Sequence, residues 1–175
     1  MEQGLVHLYW GDGKGKTTCA LGLGLRVIGC GGKVLLSQFL KNNGSSERAA
    51  IACIPGFDCI KGPEQIPFSF QMDEQERKKT KEDCVQMFFQ AAQQSRTGNY
   101  RLLILDELCD AVSEGFLEEE TILRFLAQKP QNLEVVITGH QPSAAMMNRA
   151  DYLTHFQNQK HPYQKGVGAR YGIEY

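Results

Sequence analysis

One stretch near the start of the chain constrains the fold more than any other, residues 11–18 with the sequence Gly-Asp-Gly-Lys-Gly-Lys-Thr-Thr. It follows Leu5–Tyr9, an apolar run that predicts a short buried strand, and it precedes Cys19–Ile28, which predicts a helix. A strand, a glycine-rich loop and a helix, in that order, are the context in which Gly-Lys-Thr forms a phosphate-binding loop. The alternative is a purely structural glycine-rich turn that binds no ligand. We predict a phosphate site.

The chemistry of the loop depends on its residue types. Glycines allow backbone N–H groups to converge on anionic oxygens at the N-terminus of the following helix. Lys16 adds a positive charge for the distal phosphates, and the Thr17 hydroxyl is placed to bind Mg²⁺. The predicted nucleotide-binding residues of the loop are Gly11, Asp12, Gly13, Lys14, Gly15, Lys16, Thr17 and Thr18.

The loop is shorter than the standard motif. That motif has four residues between its first glycine and the Gly-Lys pair, whereas Gly11 and Gly15 are separated by three residues. Trp10 therefore occupies the position of the expected first glycine.

Charge and composition exclude several classes of protein. The chain has 175 residues, with 19 Lys and Arg against 20 Asp and Glu, for a net charge of −1. The chain lacks the excess of basic residues that would indicate nucleic-acid binding. It also has no apolar run long enough to predict a membrane span. The first predicted strand begins at Leu5, which leaves no room for a signal peptide and predicts a cytoplasmic protein. We expect a single domain over residues 1–175.

The six cysteines contain no Cys-x-x-Cys pair, and the four histidines are scattered along the chain. This spacing argues against a zinc site and against a disulfide framework. We expect reduced thiols.

Predicted strands and helices alternate along the chain. Strands are expected at 5–9, 33–40, 57–60, 100–107, 133–139 and 152–156, and helices at 19–28, 47–54, 73–95, 117–129 and 142–150. This order predicts an α/β fold: a P-loop NTPase-like parallel sheet with helices on both faces. Such sheets bind ligands at the carboxyl ends of their strands.

A second motif lies at the end of the fourth predicted strand. Four apolar residues, Leu102–Leu105, run into the acidic pair Asp106-Glu107. A strand that delivers a carboxylate beside a phosphate loop commonly serves Mg²⁺. The predicted metal ligands are therefore Thr17, Asp106 and Glu107.

These motifs predict Mg²⁺-nucleotide binding and leave its purpose open. The guanine-specifying Asn-Lys-x-Asp pattern is absent from the sequence, which favours ATP. An ATPase or a small-molecule kinase fits the motifs, with Glu107 as the base that orients water or substrate. A non-catalytic protein that binds nucleotide and hands its ligand to another enzyme fits them as well.

The chain resembles the CobA-type corrinoid adenosyltransferases, which act on cob(I)alamin or cob(I)yrinic acid a,c-diamide. The resemblance begins in the shortened phosphate loop and extends in order over nearly the whole chain. Its other blocks are Val34–Lys41, Leu105–Leu108, Val136–Gly139, Lys160–Tyr163, Gly166-Val167 and Gly172–Tyr175.

The resemblance implies a specific reaction. A reduced Co(I) corrinoid attacks the ribose 5′ carbon of ATP, and inorganic triphosphate leaves. Lys14 and Lys16 would then stabilise the triphosphate, and Mg²⁺ would bind Thr17, Asp106 and Glu107. Lys16 and Glu107 are the expected catalytic residues of the phosphate and metal site. The resemblance also implies a homodimer and an electron-donating flavoprotein reductase as partner.

Further expectations come from individual positions. Phe68 and Phe70 resemble the family's Phe-Thr-Trp stretch, whose aromatics contact the corrin ring and help displace its lower axial ligand. We expect an extended segment with both rings on one face, although two ordinary core phenylalanines are the alternative.

His140 stands where the family commonly has Arg after Thr-Gly, so it is a candidate nucleotide contact that can titrate. Related enzymes often carry an extra N-terminal segment that closes over the active site. Because the first predicted strand begins at Leu5, we expect closure here to be weaker or to be supplied by another segment.

Overall fold

The computed structural model describes residues 3–67 and 69–173, except for the side chain of Phe70. In this part of the chain, six parallel strands form one sheet in the order β3-β2-β4-β5-β1-β6. The strands are β1 Val6–Trp10, β2 Val34–Gln38, β3 Phe57–Cys59, β4 Leu102–Asp106, β5 Glu134–Gly139 and β6 Tyr152–His155. The α/β prediction is confirmed.

The helices cover the two faces of this sheet. They are α1 Lys16–Gly29, α2 Ser46–Ile51, α3 Glu74–Thr97, α4 Leu108–Ser113, α5 Glu119–Gln128 and α6 Ala144–Arg149. Two 3-10 turns, Ser69–Gln71 and Pro162–Lys165, complete the elements of the described part of the chain. Among the described residues, no helix is long and apolar enough to cross a membrane.

The central strands are apolar on both faces because each face is covered by helices. Leu35, Leu103 and Leu105 belong to the core on one face, together with the buried side of α3. Leu36 and Ile104 belong to the core on the other face, against which α1 packs. The alternation of successive side chains thus supplies two cores from one set of strands.

The longest helix begins as the sequence predicts. The Asp73 side chain accepts a hydrogen bond from the Glu76 N–H (2.8 Å), and the Glu76 carboxylate accepts one from the Asp73 N–H (2.9 Å). This reciprocal capping box satisfies two backbone donors at the helix start. The predicted end near residue 95 is two residues short, because α3 continues to Thr97.

The parallel topology brings the two informative motifs to one edge. The phosphate loop follows β1, and the acidic pair lies at the end of β4; β5 separates these two strands. Trp10 at the end of β1 pairs with Gly139 of β5, and Gln38 of β2 pairs with Asp106 of β4. The prediction that both motifs lie at the carboxyl ends of the strands is therefore confirmed.

The structure corrects two predictions around the motifs. The fourth strand ends at Asp106 rather than at Glu107, which adopts a left-handed backbone with φ 59° and precedes the unpredicted helix α4. Six residues are too few to display helical periodicity clearly. The first helix begins at Lys16, three residues before the predicted start, because the end of the loop already has helical geometry.

The expectation of an extended segment at Phe70 is wrong. Ser69–Gln71 form a 3-10 turn, so the alternation that would place two aromatics on one face does not apply there. Phe68 lies outside the described residues.

Candidate active site

The phosphate loop is held by the strands around it. Gly11 and Gly15 have φ angles of 112° and 111°, a region that favours glycine. The Gly11 N–H donates to the carbonyl oxygens of Gly139 and His140 (3.2 and 3.1 Å), and the Gly13 N–H donates to that of Phe156 (2.7 Å). These two amides therefore fix the loop to the strand ends. The amides at the start of α1 come next in the chain.

The side chain of Lys16 folds back over the loop. Its Nζ donates to the carbonyl oxygens of Gly11 (2.7 Å) and Gly13 (3.0 Å). Burial lowers the pKa of Lys16, opposed by the negative charges of Asp110 and Glu107 among others. An anionic ligand at the loop would favour the charged form of this ammonium.

Thr17 links the loop to the acidic pair. Its hydroxyl donates to Asp106 Oδ1 at 2.8 Å, although 89 residues separate the two positions. The Thr138 hydroxyl donates to the same oxygen (2.7 Å) and accepts the N–H of Glu107 (2.8 Å). Asp106 is fully buried. The predicted grouping of Thr17, Asp106 and Glu107 is thus one cluster in space.

Lys41 is a member of this cluster that the sequence motifs did not predict as a site residue. Its Nζ lies 2.8 Å from Asp106 Oδ2 and 3.3 Å from Glu107 Oε1. Burial lowers the pKa of Lys41, but the two carboxylates outweigh it and the net direction is upward. The ammonium therefore stays charged at physiological pH. Its position at the end of the resembling block 34–41 was the one signal available in the sequence.

The donor set suits a hard divalent cation. Two carboxylates and a hydroxyl offer oxygen ligands, which Mg²⁺ prefers. Among the described residues, no group of three or more His, Cys, Asp or Glu side chains is arranged to hold a metal ion. A cation at Asp106 and Glu107 would therefore need further ligands from Thr17, water and the nucleotide, as is usual for Mg²⁺ with phosphates.

The Glu107 carboxyl has a raised pKa of about 7, compared with an ordinary value of 4.5. Burial is the largest cause and the charge of Asp106 adds to it, whereas Lys41 acts in the opposite direction. Burial therefore favours the protonated form of Glu107, whereas the Lys41 ammonium favours the carboxylate.

This raised pKa predicts a pH dependence of stability. Between pH 4.5 and 7, native Glu107 binds a proton that the unfolded chain has released, so the free energy of unfolding falls as pH rises through this window. The contribution is greatest below about pH 5 and is lost above about pH 7. Urea denaturation without metal or nucleotide measures it, and Glu107→Gln should flatten the slope. An unchanged slope in Glu107→Gln contradicts the assignment.

A cavity of about 340 Å³ opens in front of the phosphate loop. Its walls come from the loop, from His140 after β5, and from the tail that follows β6. The residues that line it include Asp12, Gly13, Lys14, Lys16, His140, His161 and Tyr163. A volume of this order accommodates a small-molecule ligand.

Two histidines of this cavity are held through Nδ1. His140 Nδ1 lies 3.0 Å from Asp110 Oδ1, and the His140 N–H donates to the same carboxylate. His161 Nδ1 accepts the N–H of Tyr163 at 3.2 Å, so in neutral His161 the proton lies on Nε2. His140 thus lines the same cavity as the loop residues.

Other predicted site residues are less central. The Asp12 carboxylate accepts the N–H of Asn158 (3.1 Å) and thereby connects the loop to the tail. Thr18 is an exposed residue in the first turn of α1. The backbone of Phe70 lies in the 3-10 turn before α3, and nothing in the described geometry brings it to the loop.

Comparison with known proteins identifies the family. The model of the family described as ATP:corrinoid adenosyltransferase BtuR/CobO/CobP matches residues 2–175. A corrinoid adenosyltransferase of Escherichia coli strain K12 is 28% identical over 174 residues, covering 99% of this chain and 87% of the relative. One from Pseudomonas aeruginosa is 29% identical over 179 residues, covering 99% and 85%.

Corrinoid adenosyltransferase CobA of Salmonella typhimurium is 26% identical over 174 residues, again covering 99% of this chain and 87% of the relative. The phosphate loop, the acidic cluster and the cavity between the loop and the tail all lie within the matched region. The resemblance inferred from the motifs is confirmed. The chain belongs to the ATP:corrinoid adenosyltransferase BtuR/CobO/CobP family.

Proposed function

We propose that this chain transfers the 5′-deoxyadenosyl group of ATP to the cobalt of a reduced corrinoid. The electron pair of Co(I) forms the new Co–C bond, the bond from C5′ to its phosphate oxygen breaks, and triphosphate leaves with that bonding pair. Cobalt is formally oxidised to Co(III) as it is alkylated. No side chain is needed as a nucleophile, so the work of the protein is to position both substrates and stabilise the leaving group.

The observation that carries this proposal is the cavity in front of the phosphate loop, because its lining favours a polyanion. Lys14 and Lys16 line it, and Lys16 also has backbone carbonyl contacts that it could exchange for phosphate oxygens. The N-terminus of α1 adds backbone N–H groups without partners inside the helix. Since the amides of Gly11 and Gly13 already bind carbonyl oxygens, we assign triphosphate binding to the amides of residues 15–18.

Mg²⁺ would be held by Thr17, Asp106 and Glu107. The support for this assignment is the hydrogen bond from Thr17 to Asp106 and the two adjacent carboxylates. The ion would neutralise part of the triphosphate charge. Glu107 must lose its proton to bind the ion, which its raised pKa of about 7 allows near neutrality. Asp106 keeps Thr17 oriented from its buried position.

The two histidines would contact the nucleotide through Nε2. The tautomer of His161 makes Nε2–H a donor for a phosphate or ribose oxygen. His140 is held by Asp110, so a charged His140 would direct its second N–H to the same polyanion. A histidine thus stands where the family commonly has an arginine after Thr-Gly.

Three expectations rest on the family resemblance alone. Phe68 and Phe70 would contact the corrin ring, a flavoprotein reductase would supply electrons, and the chain would form a homodimer. We retain all three as proposals, together with the cytoplasmic location expected from the sequence.

The decisive experiment combines the protein with chemically reduced cob(I)alamin, ATP and Mg²⁺. We expect a light-sensitive adenosylated corrinoid and intact inorganic triphosphate in equal amounts. Orthophosphate release without adenosylation would favour the ATPase or kinase alternative. Binding of both substrates without any product would favour the non-catalytic binding protein.

A further inference from the structure

The ammonium of Lys41 lies among the same three side chains that are proposed to hold Mg²⁺. It is 2.8 Å from Asp106 Oδ2, 3.3 Å from Glu107 Oε1 and 3.3 Å from Thr17 Oγ1. Three oxygens that converge on one cation make a cation site, and here the cation is a side chain of the protein. Lys41 and a divalent ion bound to these oxygens would therefore compete for one position.

The fold builds this position from two neighbouring strands. Gln38 pairs with Asp106 in the sheet, and the Phe39 N–H donates to the Asp106 carbonyl (2.9 Å). Leu40 then adopts a left-handed backbone with φ 54°, which turns the chain just before Lys41. A left-handed conformation is costly for leucine and persists where surrounding structure imposes it. The contact of Lys41 with the acidic pair is thus part of the architecture.

The hydrogen bonds of Asp106 show why a metal ion must displace a donor. Oδ1 accepts the hydroxyls of Thr17 and Thr138, and Oδ2 accepts Lys41 and Gln38, the latter at 3.3 Å. A carboxylate has about four lone-pair sites, so Asp106 is saturated. Among these donors, the Lys41 side chain is the charged one and is 23% exposed on a flexible stem.

We propose that Lys41 is a positioning residue that occupies the cation site in the nucleotide-free protein and leaves it when Mg²⁺ arrives with ATP. The inference rests on the proposed metal role of Thr17, Asp106 and Glu107. Without ATP, a divalent cation at these oxygens would repel the displaced +1 ammonium nearby, and no added negative charge would offset that repulsion. With ATP, the triphosphate compensates both cations. Metal binding is thereby coupled to nucleotide binding.

The size of the effect follows from competition. If the ion pair with Lys41 is formed 90–99% of the time, the apparent metal affinity is reduced about 10- to 100-fold. Removing the charge should therefore strengthen metal binding, whereas most substitutions beside a metal site weaken it. This opposite sign separates a competing cation from a merely structural lysine.

The test uses the full chain and Mn²⁺ as a spectroscopic probe, titrated without nucleotide. Lys41→Gln, which keeps an N–H donor and removes the charge, should bind Mn²⁺ about tenfold more tightly than the wild type. Lys78→Gln removes an exposed charge on α3 and is the matched control; it should not change the affinity. Lys41→Arg retains the charge and should keep the weak binding of the wild type.

Adding ATP should raise Mn²⁺ affinity much more in the wild type than in Lys41→Gln, because the variant has no ammonium to displace. The proposal is overturned if Lys41→Gln binds Mn²⁺ no more tightly than the wild type, or if Lys78→Gln or Lys41→Arg gives an equal gain. Thermal unfolding confirms that each variant is folded. The adenosylation assay of the wild type is independent of this result, so failure of the coupling and failure of the proposed function are distinguishable.

Discussion

Replacing Lys16 with alanine is expected to weaken ATP binding by about a hundredfold and to reduce adenosyl transfer by a similar factor or more. Lys16 lines the cavity, and its ammonium donates to the carbonyl oxygen of Gly11 within the loop. Its loss removes a charge-assisted contact to the phosphates in the ground state and to the departing triphosphate in the transition state. Isothermal titration calorimetry with ATP and Mg²⁺ measures the first loss, and single-turnover adenosylation measures the second.

The control for this substitution is Lys78→Ala, which removes an exposed lysine of α3. It should leave ATP affinity unchanged within about a factor of two, since surface substitutions away from special features have small effects. Because Lys16 also binds the carbonyls of Gly11 and Gly13, thermal unfolding should accompany the calorimetry. Unchanged ATP affinity in folded Lys16→Ala would exclude the phosphate-loop assignment.

Replacing Asp106 with asparagine is expected to lower the free energy of unfolding by about 3 kcal/mol, because it leaves a buried ion pair without its anion. Asp106 is fully buried and accepts four donors, among them Lys41. An amide group of the same shape directs N–H donors toward groups that also donate. Among the described residues, Glu107 is then the carboxylate partner left to the Lys41 ammonium. Urea denaturation in the absence of nucleotide measures the loss.

Glu120→Gln is a suitable comparison, because Glu120 forms an exposed ion pair with Arg124 and its side chain is 76% exposed. It should change the free energy of unfolding by less than about 0.5 kcal/mol. Asp106→Asn should also lose Mg²⁺-dependent ATP binding. If Asp106→Asn is as stable as Glu120→Gln, the hydrogen-bonded network around Asp106 contributes little to the fold.

The amino-acid sequence by itself determined the order of the strands and of the other helices, but not α4, and it located the phosphate and acidic motifs. Each of these signals is local. The apolar run before Gly11, the Gly-Lys-Thr-Thr sequence and the run before Asp106 are legible over about ten residues. The parallel sheet follows from the alternation of strands and helices, and a parallel sheet places the ends of its strands at one edge.

Tertiary structure decided which side chains meet at that edge. Lys41 and Thr138 lie 65 and 32 residues from Asp106 along the chain, and both bind its carboxylate. Nothing in the sequence around either residue identifies this partner, because the contact depends on strand order and on the left-handed backbone of Leu40 and Glu107. Tertiary structure also decided which amides of the loop already have acceptors. The amides of Gly11 and Gly13 donate to carbonyl oxygens of segments that are distant in sequence. The local sequence predicts a phosphate site. The hydrogen bonds that saturate Asp106 and the position of Lys41 arise only when strands far apart in sequence have paired.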